Sequence, residues 1–404
     1  MLEDCYYLKI IQENNLYFEH YFTYIITMMN FIKKHLALSI KLGVLLLLII
    51  LFVIFVILKN NVAIAESWST GFTATFIAVV GTITKEIPFS LLEVGAIILA
   101  TFIIFFIVMM IIDFKHKEIF TAFHRIVNIA LIIFSILLTY QATAEMMYNR
   151  KPLEIPLYKE AVAKEEFKGI ISYFIDDLNE CCNHLEFLED GDIVAPDISE
   201  INEKVALEYH NFQSTYLFDF TTKAKPMYLS SWLYREFHIT GITFIPFAEA
   251  NVNFLNVNAG KAFTLAHELA HTKGAMREGD ADLVASYITL HSSDYYLRYS
   301  GYYYTIGSLM TLAKYTGNDT DYNELYNKLD VRFKKNISFN NKYWKEHNKA
   351  NDFANWWNDL YLKMSGEKEG SSSYGDSSMH VNPDKEVIVF SNYQKLYFDI
   401  FYSK

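Results

Sequence analysis

His267 and His271 stand four residues apart, in the order His-Glu-Leu-Ala-His, with Glu268 beside the first. On an α-helix, positions i and i+4 are about 400° apart, so both imidazoles leave nearly the same face and can grip one metal ion. Zn²⁺ suits such donors, and its catalytic sites take three protein ligands and keep one position for water. Glu268 lies a further ~100° round the helix, close enough to take a proton from that water but angled away from ligation. These residues predict a zinc hydrolase, provided a third ligand exists. Seven residues past His271, Glu278-Gly279-Asp280-Ala281-Asp282 opens an apolar helical run through Leu283, Val284, Tyr287 and Ile288. On geometry alone Glu278 and Asp280 both qualify as that ligand.

The pattern Glu278-x-x-Ala281-Asp282 resembles the third-ligand helix of the gluzincin metallopeptidases. The resemblance implies Glu278 as the carboxylate ligand and Asp282, one turn on, as a hydrogen-bonding partner of a ligand histidine. Two rival zinc patterns fit less well. Gly274 falls at the glycine of the metzincin motif, but the third ligand would then be Arg277, which has no lone pair to give. Intramembrane proteases bury the motif in an apolar span, whereas Lys261, Lys273, Arg277, Glu278, Asp280 and Asp282 crowd it here. That charge predicts a water-facing domain.

Several elements must position these groups. Residues 261–290 read as two helices joined at Gly274, and residues 239–247, β-branched and aromatic, read as a strand followed by a turn over 248–253. The edge of such a strand can pair with an extended peptide and present a carbonyl to the metal. Glu249, Asn251 and Asn253 either line the cleft or cap and brace the turn. The tyrosines between Tyr295 and Tyr304 read chiefly as packing, with one of them, such as Tyr299, placed to hydrogen-bond a developing oxyanion. Residues 157–188 and 198–212 have helical spacing, 366–378 reads as a loop, and 387–402 as a short amphipathic helix.

The chain has 404 residues, 52% of them hydrophobic, and the apolar excess is concentrated at 42–58, 94–112 and 126–144. Each run approaches the ~20 residues needed to cross a bilayer. Residues 72–83, richer in Thr and Gly, are expected outside the membrane core or at its interface. Lys33, Lys34 and Lys41 precede the first run, and Lys115, Lys117 and Arg125 lie between the second and third, against only Lys59 and Lys85 in the other loop. Basic loops stay cytoplasmic, so three spans put everything after Tyr148 outside the cytoplasm. About 40 residues, many polar, precede the first run, so no cleavable signal peptide is expected. The net charge of −11, with no basic patch interleaved with aromatics, makes nucleic acid a poor partner. Cys5, Cys181 and Cys182 imply no disulfide framework, since adjacent cysteines rarely bridge.

Taken together, the chain resembles a family of bacterial multi-pass membrane proteins that are classed as zinc metallopeptidases and lack an established substrate. The matching pieces are Pro88-Phe89-Ser90-Leu91, Asn149-Arg150-Lys151-Pro152-Leu153, Glu249-Ala250-Asn251-Val252-Asn253, the zinc motif with Gly274, Glu278 and Ala281, Arg298-Tyr299-Ser300-Gly301-Tyr302 and Ser373-Tyr374-Gly375. They keep their order over about residues 40–380. The chain departs from that family at residues 278–282, usually Glu-Asp-Glu-Ala-Asn, and at Thr272, usually Gln. The resemblance implies a mainly α protein: three transmembrane helices within residues 1–147, then a zincin-like, mostly helical α+β domain with a small sheet over 148–404. The expected function is a membrane-anchored zinc peptidase acting on a peptide or protein, with Zn²⁺ on His267, His271 and Glu278 and Glu268 as general base. The alternative is a non-catalytic zinc-fold envelope receptor or scaffold, against which the intact Glu268 argues.

Overall fold

The computed structural model describes residues 2–154, 164–212, 214–316, 319–347, scattered positions between 352 and 363, 380–382, 387–389 and 392–402. The expected loop at 366–378 and the Ser373-Tyr374-Gly375 block lie outside the described residues. The architecture is mostly helical with a small three-stranded sheet. The first part comprises α1 (Leu2–Leu58), α2 (Val62–Trp68), a π-turn (Ser69–Thr73), α3 (Ala74–Thr84), α4 (Leu91–Lys115), α5 (Ile119–Tyr140), a second π-turn (Gln141–Glu145) and α6 (Met146–Tyr148). Among the described residues four stretches are long and apolar enough to cross a membrane, Thr23–Leu58, Val62–Thr84, Leu91–Lys115 and Ile119–Tyr148, one more than the three runs read from the sequence.

The chain divides into two compact units, Met1–Ile54 with Leu99–Thr139, and Phe55–Ile98 with Tyr140–Lys404. In the first, Arg125 Nε donates to Asp113 Oδ2 at 2.6 Å, and Phe52 and Phe134 meet edge to face. The second unit includes α2, α3 and the first turns of α4 together with Tyr140–Lys404. The reason is a stripe of small and apolar side chains. Ala65, Ser69, Thr73, Ile77 and Gly81 recur at four-residue steps and are buried. The π-turn lengthens the local repeat and keeps that stripe on one face. Ile77 packs with Ala144, Met147, Tyr148, Phe218, Ile245, Ala248 and Met276 in a core of its own. At Gly81 a Cβ would lie 2.5 Å from Phe220, so only glycine admits this approach.

The rest of the second unit runs α7 (Lys164–Asn183), α8 (Ile198–Asn211), β1 (Ala224–Met227), α9 (Ser231–Glu236), β2 (Gly241–Phe244), β3 (Glu249–Asn253), α10 (Lys261–Thr272), α11 (Glu278–Leu290), α12 (Tyr295–Thr316), α13 (Asp319–Lys328), α14 (Val331–Glu346), β4 (His380–Asn382), β5 (Val387–Val389) and α15 (Asn392–Tyr402). The sheet order is β1-β3-β2, with β1 parallel and β2 antiparallel to β3. Two sequence expectations are corrected here. The strand expected over 239–247 ends at Phe244, because Pro246 has no N–H for the ladder and sits in a 3₁₀ turn, Ile245–Phe247. The turn expected over 248–253 is instead β3, the central strand. Its alternation sends Ala250 and Val252 into the main core, and its polar face makes the hydrogen bonds described below. At the C-terminus, 387–389 pairs with β4 as a strand, and the helix begins only at Asn392.

Candidate metal centre

Helix α10 ends in a Schellman arrangement. Ala275 N–H reaches Ala270 O at 3.0 Å and Gly274 N–H reaches His271 O at 3.1 Å, with Gly274 at φ 94°. That left-handed residue turns the chain so that α11 starts only four residues later, at Glu278. The hairpin brings together His267 Nε2, His271 Nε2 and a Glu278 carboxylate oxygen, all within 4.8 Å of one another. Glu278 Oε2 lies 3.1 Å from His267 Nε2 and 3.6 Å from His271 Nε2. Ligands on a tetrahedral zinc, at ~2.1 Å from the metal, are roughly 3.4 Å apart, so these separations bracket the required value.

The other ring nitrogens are engaged. His271 Nδ1 faces Ala275 O at 2.9 Å, and because a carbonyl only accepts, that nitrogen carries a proton, which leaves Nε2 as the atom to meet a metal. His267 Nδ1 faces Asp282 Oδ1 at 2.7 Å. Burial disfavours a charged His267, but the carboxylates of Asp282 and Glu278 outweigh it and hold the imidazolium well above the usual histidine range. Burial likewise disfavours ionised Glu278, yet His271 and His267 hold its carboxyl far below the usual range. Two imidazoles plus a carboxylate, converging this closely, are a donor set suited to zinc.

Asp280, the rival acid, is turned elsewhere. Its oxygens accept from Leu153 N–H at 3.2 Å and Tyr216 Oη at 3.1 Å. Glu268 is buried next to the trio. Burial pushes its carboxyl up, against the pull of His267 and His271. Thr243 on β2 donates to Glu268 Oε2 (2.7 Å), with the Glu268 carbonyl also in reach at 2.9 Å. Gly241, two residues earlier on the same face, lies so close that a Cβ would come 2.6 Å from Glu268 Oε1. The sequence reading missed both β2 residues; their alternate spacing on the strand was the available signal.

Glu249, Asn251 and Asn253 are buried on the polar face of β3 and act as braces. Asn251 Nδ2 donates to Ile242 O (3.2 Å), tying β2 down, and Asn253 Nδ2 donates to Ile239 O (3.0 Å). Glu249 accepts from Ser90 Oγ, Leu91 N–H, Leu92 N–H and Lys225 Nζ at 2.8 to 3.2 Å, which caps α4. Tyr299 is buried in the main core, its hydroxyl donating to Asn336 Oδ1 at 2.9 Å, so it takes the packing role read for the stripe.

Arg150 was quoted in a sequence block without a role and proves to be buried at the foot of the hairpin. Its Nη1 donates to Gly274 O (3.0 Å), its Nη2 to Tyr216 O (3.0 Å), and Nε and Nη2 pair with Glu66 at 3.2 and 2.8 Å. Tyr216 and Phe218 flank the guanidinium at 4.4 and 5.0 Å. Arg277 donates to Tyr148 O at 3.0 Å and to Arg150 O. The two arginines fasten the α10–α11 turn to the segment after α6.

A family model described as "Protein of unknown function (DUF3810)" matches residues 68–380, and the chain belongs to that family. No curated protein and no solved structure matches it.

Proposed function

We propose that this protein is a membrane-anchored, zinc-dependent peptidase with a zincin-like domain and Glu268 as general base. The observation that carries the reading is the convergence of His267 Nε2, His271 Nε2 and Glu278 Oε2 while both Nδ1 atoms are engaged, with a buried carboxyl beside them. Zinc bound there supplies Lewis-acid polarisation and a water of lowered pKa. Glu268 takes the proton of the attacking water and returns it to the leaving amine. Thr243 holds one oxygen of that carboxyl and so fixes which one faces the water. Among the described residues β2 has a neighbour in the sheet only on one side, and its other edge suits an extended substrate strand.

The topology we favour has three crossings. Of the four apolar stretches, Val62–Thr84 belongs to the second unit together with the metal hairpin. Its buried stripe faces protein, while Phe72, Val79 and Ile83 are exposed, as for a helix lying at the interface. Basic residues at the α4–α5 turn then put the peptidase domain outside the cytoplasm.

The test is zinc content and hydrolysis of an unstructured protein by the purified full chain, wild type beside Glu268→Gln. Equimolar zinc in both with hydrolysis by wild type alone is expected. Absence of zinc from wild type overturns the reading. Zinc in both without hydrolysis by either selects the receptor or scaffold alternative.

A further inference from the structure

Between β1 and the end of α9 the chain exposes Tyr228 (58%), Leu229 (58%), Trp232 (60%) and Leu233, side chains that burial would favour. The Tyr228 ring meets that of Phe254, itself exposed, at a tilt of 50° with centroids 4.9 Å apart. This patch is held at one level of the molecule. Glu93, in the first turn of α4, accepts from Tyr228 N–H at 3.1 Å and from Ser230 N–H and Ser230 Oγ at 2.6 Å each. Glu93 is also the last charge before the uninterrupted apolar part of α4, which runs to Asp113. A carboxylate at the edge of a span must be compensated, and here the loop's own N–H groups do that. The patch is thereby fixed level with the point where α4 becomes fully apolar. Phe89, just before that helix, is exposed as well. Aromatic side chains with a polar tip, flanked by leucines and placed at the end of an apolar span, are the composition that settles at the headgroup–acyl boundary.

The geometry points to a lipid-binding foot: Tyr228, Leu229, Trp232 and Leu233 insert into the leaflet that α4 enters. The inference rests on the reading that α4 crosses the bilayer, so its test carries a separate control for that reading.

The test is nitroxide accessibility in the full chain reconstituted into phosphatidylcholine/phosphatidylglycerol nanodiscs. Cys5→Ser removes one native thiol. Cys181 and Cys182 are buried, which pushes both thiols up to about 12 and protects them from labelling. Labels go singly on Leu229→Cys, Trp232→Cys, Ile104→Cys on α4 and Val331→Cys, the last an exposed reference at 76%. Only samples that elute as the unlabelled chain does are read. The expected result is oxygen collision exceeding that of a polar nickel complex at 229, 232 and 104, with the reverse at 331. Lipid-like values at 104 with water-like values at 229 and 232 overturn the foot and leave the span intact. Low collision with both reagents at 229 and 232 overturns it in favour of a protein contact. Water-like values at 104 overturn the crossing of α4 and the foot with it.

Discussion

At the residue scale the candidate centre is a set of short-range constraints, each open to a single substitution. Gly241→Ala would drive a methyl into Glu268, since the Cβ position is 2.6 Å from its carboxyl. Zinc should remain, because none of the three converging donors is touched, while turnover falls at least ~100-fold, the usual cost of an ångström-scale misplacement. Zinc analysis beside steady-state rates checks this. Asp282→Asn should weaken zinc by about 10–100-fold in a chelator competition, because His267 loses the charged partner of its Nδ1. The hydrogen bond from Thr243 favours ionised Glu268, and burial opposes it. A base works only when deprotonated, so activity is lost as pH falls through the Glu268 pKa. Thr243→Val removes the bond, raises that pKa further, and should move the acid limb of the kcat–pH profile to higher pH than in wild type.

At the element scale, the α10–α11 hairpin and β2 make the site, and the braces behind them decide whether it stays made. Glu249 and Lys225 form an ion pair with side chains 0% and 5% exposed. Removing one charge of such a pair typically costs about 3–5 kcal/mol, so Glu249→Gln should lower the unfolding midpoint of the full chain in detergent. Adding Lys225→Met should recover part of the loss, because the uncompensated ammonium is then gone as well. A double-mutant cycle by thermal denaturation reads both effects. Arg150→Met should act through the metal centre: it frees Gly274 O, next to the carbonyl that orients His271, and should weaken zinc retention without touching a ligand. The helices of the hairpin were legible from periodicity and Gly274. The central strand was not, because Glu-Ala-Asn-Val-Asn is polar at every second position and reads as a turn until Ser90, Lys225, Ile239 and Ile242 are known to hydrogen-bond to that face.

At the scale of the whole molecule, the unit that holds the α10–α11 hairpin includes Phe55–Ile98 as well as Tyr140–Lys404, so a cut at Tyr148 would divide it. A shortened chain starting there would lose Ile77 from the small core of Phe218, Ile245, Ala248 and Met276, Glu66 from Arg150, and the Ser90 and Leu91 donors from Glu249. It should aggregate or bind a hydrophobic dye, whereas the full chain in detergent should not; size-exclusion chromatography decides. Sequence alone determined what depends on spacing along one segment: the rotation that aligns His267 with His271, the length of the apolar runs, and the charge around the motif. Such features follow from helix geometry and hydropathy without knowledge of any partner. Tertiary structure decided what depends on meetings between distant segments: Glu278 rather than Asp280 toward the histidines, Thr243 on Glu268, Tyr299 in the core, and Arg150 under the hairpin. A side chain's partner on another element is set by how elements pack, and periodicity within one element carries no information about that.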